Sequence, residues 1–353
     1  MNFNFESLLD EVLAKHASDL HIISGFYPTV RINNQLLYLR EPYSLISSEE
    51  ANKLPDQLLN RQQKILFEEN KEIDFGYTYN TTRFRVNLYL ARGDCAASFR
   101  VIPSVIKTIE ELNLPDVFNT FTNYRQGLIL FTGPTGEGKS TSLAAIVNEL
   151  NLRHARHIIT VEDPIEFIYP KARSIISQRE LAQDTLSWNK ALRSVLREDP
   201  DIVLVGEMRD YETIQSVLTI AETGHLVFST LHTGSTTEAI TRIIDVFPEH
   251  QQNQIKSSLS SSLVAVVAQR LIPTLDGLSR IPAIEILMNE PAVASIIRDG
   301  KNYQLDNVIE TSERSGMILF EKYLAKLYTL GHISKETALT YAIRKNVISH
   351  LIQ

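Results

Sequence analysis

The run Gly133-Pro134-Thr135-Gly136-Glu137-Gly138-Lys139-Ser140, followed by Thr141, fits G-x-x-x-x-G-K-[ST] at every position. These residue types suit the binding of a phosphate chain. Glycines let backbone N–H groups approach phosphate oxygens with no Cβ in the way. A helix beginning at the lysine adds the positive end of its dipole. Lys139 can reach the β- and γ-phosphates, and the Ser140 hydroxyl can ligate Mg²⁺. The bland alternative is a glycine loop that only joins a strand to a helix. The loop does not specify which nucleoside triphosphate binds or what its hydrolysis would drive.

Three polar clusters follow apolar runs that read as strands, and open α/β sheets bind ligands at the C-terminal ends of their strands. The first is Glu162-Asp163-Pro164-Ile165-Glu166, after Ile158–Val161. Its acids either hold Mg²⁺ and its waters or form a solvated Asp-Pro turn. The second is Gly206-Glu207, after Ile202–Val205. The run looks like a Walker B strand with glycine where a magnesium-binding Asp would stand. Metal binding then falls to Ser140 and water, or to Glu162, and Glu207 becomes the acid that activates or orients an attacking water. The bland reading of Glu207 is a surface acid. The third is His232, delivered by Leu226–Leu231, where an imidazole can report the γ-phosphate or simply be an exposed histidine. Arg83, Arg85, Arg92 and Arg100 lie in alternating segments nearer the start. They read either as a solvated strand face or as positive charge offered to a triphosphate of a neighbouring subunit.

The elements that position these residues follow from periodicity. Phe5, Leu8, Leu9, Val12 and Leu13 form one helical stripe. Thr29–Ile32 and Gln35–Tyr38 flank Asn33-Asn34 as a hairpin. Ser47-Ser48-Glu49-Glu50 opens a helix, another lies near Gln62–Glu69, and residues 72–103 alternate as antiparallel strands around Tyr79-Asn80-Thr81-Thr82. Residues 1–104 are thus a small α+β domain, and 105–115, after Pro103, a linker. From residue 116, strands at 128–132, 157–161, 202–206, 226–230 and 282–287 alternate with helices, which implies a mainly parallel, covered sheet. Asp210 caps one helix and Gly224 stops it. Residues 249–269 read as a helix. The α/β core occupies 116–288, and 289–353 is a helical segment broken by Gly300, Gly316 and Gly331.

At 353 residues two domains are expected. No apolar run approaches the ~18 residues of a membrane span. The acidic start lacks the features of a secretory signal. A single cysteine, Cys95, excludes an internal disulfide and a multi-cysteine zinc site. Together these features imply a cytoplasmic protein. The net charge of −7 argues against a nucleic-acid partner.

Four stretches, GPTGEGKSTSLAAIVNEL, ITVEDPIEF, ALRSVLREDPDIVLVGEMRD and AETGHLVFSTLHTGSTTEAITRIIDVFP, with SDLHI and RFRVN earlier, resemble the PilT family, the retraction ATPases of bacterial type IV pili. The resemblance implies a hexameric, Mg²⁺-dependent ATPase with a PAS-like N-terminal domain and a RecA-like C-terminal domain. It implies that Lys139 and Ser140 bind ATP, that Glu162 belongs to the Asp box, Glu207 to Walker B and His232 to the His box, and that Arg85, Arg92 and Arg100 close the site. It further implies an inner-membrane platform protein as partner, a peripheral position at the pilus base, and either autonomous retraction or a PilU-like role beside a paralogous ATPase. Two departures stand out. Glu137 replaces the family's usual serine and puts an acid beside the phosphates, and Pro291–Asp299 keeps only part of a segment linked to retraction.

Overall fold

The computed structural model describes residues 5–33, 35–102 and 105–352. Asn34 of the expected hairpin turn and Pro103 before the expected linker lie outside them. The chain divides into two compact units. One comprises Met1–Val105 with Glu162–Tyr169 and Gln178–Ser187, and the other holds Ile106–Val161, Pro170–Ser177 and Trp188–Gln353.

The first unit is built on six strands, β1 (Asp19–Ile23), β2 (Thr29–Ile32), β3 (Gln35–Tyr38), β4 (Glu72–Tyr79), β5 (Thr82–Ala91) and β6 (Asp94–Ile102). They form an antiparallel sheet in the order β3-β2-β1-β6-β5-β4. Alternation decides the two faces. Phe84, Val86 and Leu88 of β5 point into the core with Phe99 and Leu20, while Arg83, Arg85 and Asn87 take the other face. Helix Phe5–Ala14 buries Phe5, Leu8, Leu9 and Val12 against that core. The Phe5 and Phe99 ring centroids are 5.3 Å apart. Each such side chain contributes about 1.5–3 kcal/mol of burial. Helices Ser48–Asn52 and Arg61–Asn70 both begin with reciprocal capping boxes, Ser47 with Glu50 and Asn60 with Gln63. A short helix, Leu54–Leu58, lies between them without a sequence signal that we recognised. This is the smaller, PAS-like α+β domain.

The larger sheet has seven strands, β7 (Gly127–Thr132), β8 (His157–Glu162), β9 (Ile175–Glu180), β10 (Ile202–Val205), β11 (Leu226–Leu231), β12 (Leu263–Pro273) and β13 (Arg280–Met288). Their order is β13-β12-β7-β11-β10-β8-β9. β7 runs parallel to β11 and β12, β10 runs parallel to β11 and β8, and β13 returns antiparallel to β12. Every residue of β7, β10 and β11 is buried, as a parallel sheet covered on both faces requires. This is the mainly parallel α/β sheet expected from the alternation of strands and helices, and the RecA-like architecture that the family resemblance implies.

One element departs from the sequence reading. The helix expected over 249–269 ends at Ser262, and Leu263 begins β12. The run Leu263-Val264-Ala265-Val266-Val267-Ala268 is apolar throughout, so its periodicity does not separate a buried helix from a buried strand. Its β-branched residues favour the strand, which lies between β7 and β13. β9 was also unanticipated, being a polar strand at the sheet edge. After β13 come helices Pro291–Asp299, Leu305–Thr311, Phe320–Thr329, Lys335–Tyr341 and Lys345–Leu351. Gly300, Gly316 and Gly331 interrupt them in the left-handed region.

A phosphate loop linked to Glu207 and His232

β7 ends at Thr132, and the helix Lys139–Arg153 starts directly after Gly138. Two glycines are required by their surroundings. Gly133 adopts φ +145°, and a Cβ there would stand 2.3 Å from the Gln269 carbonyl oxygen. Gly138 turns the chain into the helix at φ +79°. The Lys139 side chain is buried and folds back over the loop, where its Nζ donates to the carbonyls of Gly133 (2.6 Å) and Pro134 (2.9 Å). Ser140 is exposed at the first turn, so its hydroxyl is accessible to a ligand. The structure moves one expectation. The Glu137 carboxylate, expected beside the phosphates, accepts a hydrogen bond from the Leu271 N–H of β12. The reason is geometric, because β12 outruns β7 and leaves a sheet donor open beside the loop.

Two further strands bring their polar ends to this loop. β10 delivers Glu207 and β11 delivers His232, whose Nε2 lies 3.3 Å from Glu207 Oε1. His232 Nδ1 stands 3.5 Å from the Thr135 hydroxyl of the loop. Arg209 Nε places a cation at 3.0 Å from Glu207. Burial pushes the Glu207 carboxyl up, but its hydrogen bond and charge pairing with Arg209, joined by His232, outweigh this and hold it below the usual range. Glu207 is therefore ionised near neutral pH. It is 24% exposed and His232 is 40% exposed, so neither is sealed in the core and neither is a free surface group. Below them the sheet is tightly cross-linked. Thr132 Oγ1 lies 2.7 Å from Thr233 Oγ1, and the Thr230 hydroxyl donates to the Gly206 carbonyl at 2.6 Å.

Glu162 closes β8, is buried, and accepts from Gln178 Nε2 at 3.3 Å. Ile165 is buried as well, so the solvated-turn reading of this cluster does not hold. Glu162 belongs to the first unit with its neighbours Asp163–Tyr169. In the same unit Arg83 forms an ion pair with the buried Glu180, which also accepts from the N–H groups of Gly76 (2.8 Å) and Ile165 (3.1 Å).

The other arginines are less committed. Arg85 and Arg100 face one another in the ladder. Arg85 meets Asp74 at 3.3 Å and Glu166 at 3.7 Å, and Arg100 meets Asp19 at 2.9 Å. Arg92 sits exposed in the two-residue turn between β5 and β6. Arg100 is 69% exposed against 11% for Arg83. Exposed pairs are worth roughly 0–1 kcal/mol and exchange partners cheaply, whereas the Arg83 pair does not.

Sequence reasoning missed Arg209, Glu180 and Gln269. Gln269 left a trace, as a lone amide inside the apolar run of β12. Arg209 and Glu180 left none, because each acquires its role from a partner distant in the chain or from a turn whose direction is not encoded locally. Among the described residues no group of three or more His, Cys, Asp or Glu side chains is arranged to hold a metal, and no helix is long and apolar enough to cross a membrane.

Comparison with known proteins agrees with this geometry. The family model described as type II/IV secretion system protein matches residues 73–315. A twitching motility protein of Neisseria gonorrhoeae is 44% identical over 88% of this chain and 83% of its own length. The type IV pilus retraction ATPase PilT of Pseudomonas aeruginosa is 43% identical over 91% and 93%. The type IV pilus ATPase PilU of the same organism is 38% identical over 99% and 91%. The crystal structure of the pilus retraction motor PilT with bound ADP superposes with a TM-score of 0.91, at 37% identity, over 99% of this chain and 100% of that one. With Thr135, His232 and Glu207 linked in one cluster at the Lys139 loop, the chain belongs to the type II/IV secretion system protein family, among its PilT-type pilus ATPases.

Proposed function

We propose that this chain is an ATP-driven retraction motor of a type IV pilus that works as a homohexamer in the cytoplasm, docked on an inner-membrane platform protein. The observation that carries the reading is the contact sequence Thr135–His232–Glu207. It links the phosphate loop to the acid suited to orient a water, so a change at the γ-phosphate is felt at both ends.

In this reading the loop N–H groups and Lys139 hold the phosphates of ATP, and Lys139 exchanges its loop carbonyls for phosphate oxygens. Glu207, kept ionised by Arg209 and His232, accepts a hydrogen bond from the attacking water and orients it. The exposed Ser140 hydroxyl at the helix start fits Mg²⁺, since a cation held mainly by phosphates and water needs few protein ligands. Ser140 would hold it, with Glu162 as the second acid of the motif. When bound, Mg²⁺ neutralises charge on the β- and γ-phosphates. Arg85, Arg92 and Arg100 are the arginines we assign to closing the site of a neighbouring copy. The weak exposed pairs of Arg85 and Arg100, and the open position of Arg92, support that assignment.

Lys139→Ala tests the proposal. The expected result is loss of ATP turnover and of twitching when the variant replaces the wild type. Substantial remaining turnover refutes the site. A second reading, a PilU-like accessory ATPase, draws on the similarity to PilU over 99% of the chain. Low turnover of the purified protein, rescued by a paralogous ATPase, would favour it. Salt-dependent DNA binding that stimulates turnover would favour a translocase over either reading.

A further inference from the structure

β12 outruns its neighbour. Its last partner on β7 is Thr132, opposite Ala268, and beyond this point Gln269–Pro273 pair only with β13. The open side of that overhang faces the phosphate loop and carries the Gln269 carbonyl and the Leu271 N–H. The loop fills both. Gly133 passes so close to the Gln269 carbonyl that no side chain fits there. Glu137 reaches back and accepts from Leu271 N–H through its carboxylate. The Gln269 side chain, 2% exposed, completes the arrangement. Its Nε2 donates to the Glu137 carbonyl (2.8 Å), and its Oε1 accepts from the Ser142 hydroxyl (2.8 Å) on the helix that follows. The loop is therefore fastened to β12 through the carbonyl and the carboxylate of Glu137, with Gly133 in close contact at its other end. Gly133, Gly136 and Gly138, all at positive φ, would otherwise leave this segment conformationally free.

We propose that Glu137 and Gln269 are positioning residues that latch the phosphate loop to β12 and set nucleotide affinity by preorganising it. Glu137 acts through its hydrogen-bond acceptor, not through its negative charge toward the phosphates. The proposal rests on ATP binding at this loop, and the wild-type protein is its control. If the wild type does not bind ATP, the site assignment fails, and if it binds normally the latch is tested separately.

The experiment measures ATP and ADP affinity, KM and kcat, and the hydrogen-exchange rate of the Leu271 amide in the full chain. Glu137→Ala removes a hydrogen bond to a charged group. It should weaken nucleotide binding roughly tenfold and raise KM more than it lowers kcat. The same variant should speed exchange at Leu271. Glu137→Gln keeps an acceptor and should recover most of that loss. Glu137→Asp keeps the charge but loses reach, so it should resemble the alanine variant, and it serves as the test if alanine does not fold. Gln269→Ala should show the same KM-weighted loss. The proposal is overturned if Glu137→Ala and Glu137→Gln both tighten binding, which would mark the acid as a repulsive charge. It is also overturned if glutamine is as weak as alanine, or if affinity and Leu271 exchange stay at wild-type values.

Discussion

Around Arg344, Glu285 and Glu321 are fully buried, and each of their four oxygens has a partner. Glu285 accepts from the Thr236 N–H and hydroxyl, from Phe320 N–H and from Arg344. Glu321 accepts from the N–H groups of Ile343 and Arg344 and from the Arg344 guanidinium. Asp306 takes the remaining edge of Arg344, at 2.7 Å. Glu207 is assembled from the same residue types with the opposite outcome. It has an arginine and a histidine as partners, keeps contact with solvent, and the histidine is joined to the phosphate loop. An ion cluster whose two central carboxylates are fully buried and saturated has a single arrangement and holds structure. A half-open one can change partners at little cost, which is what a site that handles a changing phosphate needs.

The contrast yields separable expectations. Glu207→Gln should lower turnover by about 100- to 10,000-fold, the range of a general base, while the thermal midpoint moves little. A large loss of stability in that variant would break the comparison. Arg344→Met strands two buried carboxylates, and urea denaturation should show a loss of about 3–5 kcal/mol. A loss below 1 kcal/mol would mean that water reaches those acids. Arg209→Ala should cost no more than ~1 kcal/mol, because that arginine is largely exposed. Its clearer effect should be a rise in the Glu207 pKa, readable as a shift of the acid limb of the turnover profile.

The smallest effect concerns pH. The Glu207 carboxyl is depressed in the folded protein. Its contribution to stability is therefore complete above the ordinary carboxylate value of about 4.3 and is lost as pH falls through the lower folded value. Stability curves of wild type and Glu207→Gln should run parallel above pH ~5 and converge below it. Divergence on the alkaline side would contradict this.

The legible parts of the molecule are those whose signal is local. The strand–loop–helix around Lys139, the helix start at Ser47 and the Asp210 cap each lie within a few residues, and each element is found where it was read. The strands that deliver Glu207 and His232 were legible because short apolar runs end in polar clusters. What escaped is long-range. Residues 263–269 look helical until β7 and β13 flank them. Glu137 looks like an acid aimed at phosphates until Leu271 is placed beside it. Arg344 gave no sign in its own helical segment. Its counterpart did, since Glu285 stands alone among Ala283, Ile284, Ile286 and Leu287, and an acid in such a run requires a buried cation.

The Arg344 cluster also imposes an order on synthesis. Every carboxylate it neutralises precedes it, so a ribosome releases Glu285, Asp306 and Glu321 before the cation that allows their burial exists. The polar knot among Glu285, Asp306 and Glu321 cannot take its final form until residue 344 has been added.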